Sequence, residues 1–158
     1  MDEYYRIAAA LPSPFCGELQ QLDPRCAPLV QEIRLRAGQP VQFTIKGRLT
    51  PAARYLPRAE HLQCMQPRQL QDCFLQLCGH SLYAYEEELR QGFFTILNGD
   101  RIGVAGSWSG NGFSAVTSLN LRVARWVTCP LPDEVQTYLL AEQDGLLVAG
   151  VPGSGKTT

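Results

Sequence analysis

The stretch Phe93-Phe94-Thr95-Ile96-Leu97-Asn98-Gly99-Asp100-Arg101-Ile102-Gly103-Val104-Ala105 decides the fold class. Two β-prone runs flank Asn-Gly, a dipeptide that readily takes the positive φ angles of a tight hairpin turn. Residues 93–97 and 101–105 are therefore predicted strands of one antiparallel hairpin. Residues 107–112 (Ser-Trp-Ser-Gly-Asn-Gly) read as a second, glycine-rich loop. Residues 113–116 read as another strand and residues 119–127 as a further alternating one. Such a series predicts an antiparallel meander rather than the strand–helix–strand repeat of a parallel sheet.

Upstream, residues 31–36 alternate, with Ile33 and Leu35 on one face and Glu32, Arg34 and Arg36 on the other, the pattern of a half-buried strand. Ala37-Gly38-Gln39-Pro40 is a predicted turn, residues 41–45 a second strand, and Lys46-Gly47-Arg48 another turn. Residues 3–11 read as a helix stopped by Pro12 and Pro14, and residues 15–30 as helical but broken near Pro24 and Pro28. Residues 50–66 are dotted with proline and read as loop. Pro67 opens a predicted helix to Cys78 whose stripe is Leu70, Phe74, Leu75 and Leu77, with Gly79 as its stop. Ser81 is a candidate cap for a helix over 82–91, ended by Gly92. Glu86, Glu87 and Glu88 fall in its early part, where carboxylates favour the helix dipole, so they read as a solvated face rather than paired catalytic acids. Tyr83, Tyr85, Phe93 and Phe94 read as packing residues rather than base-stacking ones, since no basic groove surrounds them.

Composition excludes several classes. Of 158 residues, 18% are charged and 45% hydrophobic, which is not a disordered polyelectrolyte. Fourteen basic and 15 acidic side chains leave a net charge of −1, which disfavours a mostly electrostatic nucleic-acid binder. No apolar run approaches the ~20 residues needed to cross a bilayer, and Met1-Asp2-Glu3 does not begin a signal peptide. The six cysteines (16, 26, 64, 73, 78 and 129) show no two-residue ligand spacing. They read as reduced, partly buried thiols in a cytoplasmic protein. His61 and His80 read as loop or surface residues.

Downstream, Pro130 and Pro132 punctuate a boundary, residues 133–142 read as a helix, and Asp144-Gly145 ends it. The apolar run Leu146-Leu147-Val148-Ala149 reads as a strand buried on both faces. It feeds Gly150-Val151-Pro152-Gly153-Ser154-Gly155-Lys156-Thr157-Thr158, the Gly-x4-Gly-Lys-Thr pattern of a phosphate-binding loop. Glycines there permit backbone angles that let the amides of residues 153–158 converge on an anion. Lys156 is expected to reach the β- and γ-phosphates of ATP, and the Thr157 hydroxyl to coordinate the Mg²⁺ that bridges them. Lys156 is one of only two lysines, the other being Lys46. The domain organisation expected is an N-terminal domain over 1–130 and the start of a P-loop ATPase domain over 131–158. With the chain stopping at Thr158, the fragment is expected to lack most of a motor and to be inactive alone.

The run from Ser81 to Gly92 (Ser-Leu-Tyr-Ala-Tyr-Glu-Glu-Glu-Leu-Arg-Gln-Gly), then Phe93-Phe94-Thr95-Ile96, Gly99-Asp100-Arg101-Ile102-Gly103-Val104-Ala105-Gly106, Asn120-Leu121-Arg122-Val123-Ala124-Arg125 and the phosphate-binding loop together resemble the stage III sporulation protein AA family of endospore-forming bacteria. Glu32-Ile33-Arg34-Leu35-Arg36 with Gly38-Gln39-Pro40 resembles that family's first strand and turn. The likeness runs from about residue 30 to the end. It implies an α+β N-terminal domain, helices plus antiparallel meander, followed by a truncated start of a RecA-like or AAA-type α/β P-loop ATPase domain similar to type II and type IV secretion ATPases. It further implies a homo-hexamer of the full-length protein, in the mother-cell cytoplasm and peripheral to the outer forespore membrane. Its partners there would be other proteins of the mother-cell/forespore channel, where ATP hydrolysis would drive transport or assembly.

The same resemblance implies that Arg122 and Arg125 reach nucleotide phosphates from the N-terminal domain. The alternative for both is a strand arginine in water. Two other functional readings stay open: a docking module for membrane channel partners without ATPase activity, and a nucleic-acid-binding P-loop protein, which the net charge disfavours.

Overall fold

The structure, a computed structural model, describes residues 2–96, 99–109, 112–125, 130–141 and 147–151. It divides into two compact units, Met1–Ala124 and Arg125–Thr158.

In the first unit the chain opens with α1 (Glu3–Ala9), capped by Asp2, whose Oδ1 accepts the Tyr4 N–H at 2.9 Å. Tyr4, Ile7 and Ala8 are its buried stripe. A short α2 (Phe15–Leu19) and a 3₁₀ turn (Ala27–Leu29) follow; the helical stretch expected over 15–30 is shorter than read, since α2 ends before Pro24, Pro28 sits inside the 3₁₀ turn and Val30 already belongs to a strand. The Tyr4 hydroxyl donates to the Leu19 carbonyl at 2.9 Å and the Tyr5 hydroxyl to that of Leu22 at 2.6 Å, tying α1 to the segment after it.

Among the described residues six strands form one sheet: β1 (Val30–Arg36), β2 (Gln42–Ile45), β3 (Arg48–Pro51), β4 (Phe93–Thr95), β5 (Arg101–Ser109) and β6 (Gly112–Arg122). Their order is β3-β2-β1-β6-β5-β4, and every neighbouring pair is antiparallel. The register fixes the core. Phe43, Ile33, Leu121, Ile102 and Phe94 are successive cross-strand partners, a buried row spanning five strands. Leu35, Leu119 and Val104 form a second row beside it. Helix α3 (Pro67–Leu77) covers one part of this face, Phe74 meeting Phe94 edge-on at 6.1 Å, while Tyr4 of α1 meets Phe43 at 5.8 Å.

Several sequence expectations change here. Residues 50–66 are not all loop: β3 begins at Arg48, because Lys46 (φ 49°) and Gly47 (φ 74°) make the two-residue turn that pairs Ile45 with Arg48. The rest of that segment is held by Val41 N–H to the Leu62 carbonyl and by a reciprocal pair between Gly38–Gln39 and Met65. Of residues 107–112, Ser107, Trp108, Ser109 and Gly112 contribute ladder rather than loop, and Gly110 and Asn111 lie outside the described residues. β5 pairs with β6 out to Ser109–Gly112, and the Trp108 and Phe113 rings meet at 5.1 Å across that end. The strands expected at 113–116 and 119–127 are one strand, β6, which ends at Arg122; β6 carries an extra residue at Thr117 and at Ser114, where the register shifts opposite Ala105–Gly106 and Ser107–Trp108. Residues 126 and 127 of the expected strand lie outside the described residues, as do Leu97 and Asn98 of the hairpin. The helix expected over 82–91 is a 3₁₀ turn (Leu82–Tyr85) running into α4 (Glu86–Arg90). Ser81 supplies no side-chain cap, and the Tyr85 ring is held 5.1 Å from Phe94 instead. In α3 the buried set is Leu70, Cys73, Phe74 and Leu77. Cys73 takes the place assigned to Leu75, cysteine behaving as a small hydrophobe.

In the second unit, α5 (Asp133–Ala141) follows Pro132, whose carbonyl accepts the amides of Val135 and Gln136. It buries none of its residues among those described. Residues 147–149 form no strand: Leu147 is 91% exposed and Val148 half exposed. A strand needs a neighbour for its backbone donors and acceptors, and among the described residues none is paired with these. Leu146, Asp144-Gly145 and Glu142 lie outside the described residues.

Candidate functional site

Alternation puts the polar residues of the central strands on the sheet face opposite the buried rows. Reading across β2, β1, β6 and β5, Thr44, Glu32, Arg122 and Arg101 are successive partners, ending at Thr95 of β4. The adjoining row is Gln42, Arg34, Asn120, Gly103 and Phe93. This face is open, and among the described strand residues it carries Arg34, Arg36, Arg101 and Arg122.

Glu32 is largely committed. Its Oε2 accepts from Arg34 Nη2 at 3.0 Å and from the Thr44 hydroxyl at 3.0 Å. Burial pushes its carboxyl up, but the hydrogen bonds from Arg34, Thr44 and Asn120 outweigh that and hold it below the usual carboxylate range. Arg122, exposed, has no carboxylate at ion-pair distance among the described residues. Directly opposite it on β5 stands Arg101, whose guanidinium lies 3.6 Å from the centroid of the Phe93 ring. Gly103 leaves the floor between them low, so Glu32, Phe93, Arg101, Asn120 and Arg122 surround a shallow depression. Like charges directly opposite on a sheet disfavour the pairing. With Glu32 already matched by Arg34, the face has a surplus of positive charge suited to an oxyanion such as phosphate or carboxylate.

Of the residues singled out from sequence, Arg122 stands on this face. Arg125 lies past the end of β6, in the second unit. Gly150 and Val151 are exposed and belong to no regular element. Pro152, Gly153, Ser154, Gly155, Lys156, Thr157 and Thr158 lie outside the described residues. No three His, Cys, Asp or Glu residues cluster as metal ligands among those described, and no described helix is long and apolar enough to cross a membrane.

Sequence reasoning missed three features. Arg101 became visible only through the register that places it opposite Arg122. Asp100, fully buried, accepts from Arg6 Nε at 3.2 Å and Nη2 at 3.1 Å and from the Ala124 amide at 2.8 Å. His61 Nδ1 lies 2.7 Å from Glu18 Oε1, so this surface histidine has a partner 43 residues away. The acidic run serves structure: Glu86 pairs with Arg90 at 2.7 Å and Glu88 accepts the Thr95 amide at 2.7 Å. Cys16, Cys26, Cys64, Cys73 and Cys78 are free thiols; Cys129 lies outside the described residues.

Residues 18–158 match the family model described as Sporulation stage III, protein AA. Stage III sporulation protein AA of Bacillus subtilis (strain 168) is 28% identical over 158 residues, covering 96% of this chain and 48% of that protein. The chain thus spans about half the length of this curated relative. Among solved structures, the Legionella pneumophila ATPase DotB aligns at a TM-score of 0.38 with 16% identity, over 70% of this chain and 30% of that one. The pilus retraction motor PilT with bound ADP aligns at 0.42 with 17% identity, over 70% and 32%.

Proposed function

This chain belongs to the Sporulation stage III, protein AA family, and from that premise we propose that it is part of an ATP-binding subunit of the mother-cell/forespore channel. In this reading ATP hydrolysis by the full-length protein drives transport or assembly during endospore formation. The observation that carries it is the Gly-x4-Gly-Lys-Thr pattern from Gly150 to Thr157 in a chain of this family. Residues 1–130 are the N-terminal domain and residues 131–158 the start of the ATPase domain.

The roles follow from side-chain chemistry. The backbone amides of residues 153–158 and the Lys156 ammonium hold the β- and γ-phosphates, and the Thr157 hydroxyl is a Mg²⁺ ligand. Bound Mg²⁺ would offset charge on the phosphate oxygens. Arg122, on an open face and without an ion-pair partner among the described residues, supplies a further cation to a phosphate, with Arg125 as the second candidate. The full-length protein would act as a hexamer, peripheral to the outer forespore membrane, on the mother-cell side.

The test is phosphate release by the full-length protein. Lys156→Ala is expected to abolish turnover with the fold retained by circular dichroism, and Arg122→Ala to lower kcat at least about tenfold, the direction seen when a charge-stabilising arginine is lost. Full turnover in Lys156→Ala would overturn the ATPase reading. Full turnover in both Arg122→Ala and Arg125→Ala would remove only the arginines from it.

A further inference from the structure

The β5–β6 hairpin outruns the rest of the sheet. β4 pairs with β5 only as far as Gly103 and β1 with β6 only as far as Ser118, whereas β5 and β6 stay paired to Ser109 and Gly112. The last part is therefore a two-stranded arm. It is also tightly built: a Cβ on Gly106 would sit 2.1 Å from the Ala115 carbonyl oxygen, so only glycine lets the strands approach there. A bare two-stranded ribbon is marginal in water, and this one rests on α3 through Phe113, whose ring meets Phe74 edge-on at 6.0 Å.

Between the arm and the segment leading into α4 lies a cleft of about 140 Å³. Phe74, Leu89 and Phe113 line its interior, and Tyr83, Trp108 and Glu86 stand around it. Tyr83 is 91% exposed and Trp108 44%. Apolar cavities of about this volume accept a molecule as large as benzene, so one bulky apolar side chain fits.

We propose that this cleft is the docking site for a helix of a protein partner that inserts one bulky apolar side chain and sets a lysine or arginine against the adjoining carboxylates. The choice of occupant follows from charge. Among the described residues, the carboxylates at the cleft and its adjoining turn are Glu86, Glu87 and Glu88, beside the neutral phenols Tyr83 and Tyr85, and no basic side chain lines either. Arg90 answers Glu86 alone, at 2.7 Å, so a net negative rim faces the visitor. Such a rim repels anionic lipid and nucleic acid and attracts a cationic helix. It also disfavours α5 of a second copy, whose exposed Leu139 and Leu140 are accompanied by Asp133 and Glu134 and by no basic residue. Exposed tyrosine and tryptophan around an apolar pocket are the composition of interface hot spots. The inference stands independently of nucleotide binding.

Fluorescence anisotropy on the full chain tests it, with a labelled amphipathic helical peptide of leucine and phenylalanine on one face and lysine on the other. The control probe has glutamate at each lysine. Saturable binding of the lysine peptide is expected, with the glutamate peptide inert. Tyr83→Ala or Trp108→Ala should weaken binding about thirtyfold, the scale of a hot-spot truncation. Glu86→Gln with Glu87→Gln should weaken it and flatten its salt dependence. If Trp108→Ala fails to fold, Tyr83→Ala decides, since that side chain leaves the core untouched. No saturable binding, equal binding of the two peptides, or an unchanged Tyr83→Ala affinity overturns the proposal. So does a dimer in sedimentation that Tyr83→Ala dissociates, which would assign the cleft to a second copy. So does flotation with phosphatidylserine vesicles lost in Tyr83→Ala, which would assign it to lipid.

Discussion

Asp100 offers the sharpest test of how this domain is held together. Its carboxylate is fully buried and receives the Arg6 guanidinium through Nε and Nη2 at 3.1–3.2 Å and the Ala124 amide at 2.8 Å. It therefore joins three places: helix α1, the β4–β5 turn and the end of β6. Asp100→Ala removes charge-assisted hydrogen bonds of about 1.5–3 kcal/mol and strands the Ala124 amide at about 1–3 kcal/mol. Arg6 keeps 35% of its side chain exposed and can turn to water, so the deserted cation adds less than a fully buried one would. About 3–4 kcal/mol is expected, a large part of a domain's usual margin. Arg6→Ala leaves a buried carboxylate with only the amide and should cost about 3 kcal/mol. The double variant should lose about 4–5 kcal/mol rather than the sum of the two, because the partners share one interaction. Asp100→Asn, which can still accept the Ala124 amide, should fall between wild type and Asp100→Ala. Urea unfolding followed by circular dichroism reads all four. A cost below about 1 kcal/mol for Asp100→Ala, or strict additivity in the cycle, would refute the claim that this carboxylate fastens the three elements.

Three further expectations test other parts of the structure. Gly106→Ala should destabilise by about 2–3 kcal/mol, since the new methyl meets backbone that must move; an unchanged urea midpoint would contradict the close approach of β5 to β6. Burial pushes the Cys73 and Cys78 thiols up to about 12 each, so iodoacetamide at pH 8 should label exposed Cys64 first and reach Cys73 and Cys78 only after unfolding, read by peptide mass mapping. Glu32 is held below the ordinary carboxylate value, so its contribution is present above the unfolded value of about 4.3 and fades as pH falls through the lower folded one. Glu32→Gln should therefore cost about 1 kcal/mol at pH 7, and its urea midpoint should converge on that of wild type at acid pH.

What could be read from sequence was local. Alternation over residues 31–36 placed Ile33 and Leu35 inside, and both are fully buried. Lys46-Gly47 turned where expected, and Pro67 opened its helix. The losses were of contacts far apart in the chain. The pairing of β1 with β6 joins Ile33 to Leu121, and no periodicity within either strand encodes its partner. Arg6 meets Asp100 from 94 residues away. Residues 107–112 look like loop by their glycines and serines, yet Trp108 and Phe113 make a cross-strand ring pair that holds the ladder. The phosphate-binding pattern was the opposite case. Its reading needs no distant partner, because the residues of the Gly-x4-Gly-Lys-Thr pattern are consecutive in sequence, and residues 152–158 of it lie outside the described ones.

The link between fold and candidate site is register. A slip of one residue between β6 and its neighbours would send Leu121 to the open face and Arg122 toward Phe94 and Phe43. That alternative buries an unpaired guanidinium and exposes a core leucine, so the hydrophobic row holds Arg122 outward more firmly than any contact of Arg122 itself. The same row sets Arg101 opposite Arg122, because Ile102 must meet Leu121. Two like charges are thus pressed together as a by-product of core formation, and the sheet tolerates them because Arg101 stacks on Phe93 and both remain in contact with water. An anion arriving at this face would meet guanidinium groups already positioned by the core, so less ordering entropy opposes its binding than on a pair of freely moving surface arginines.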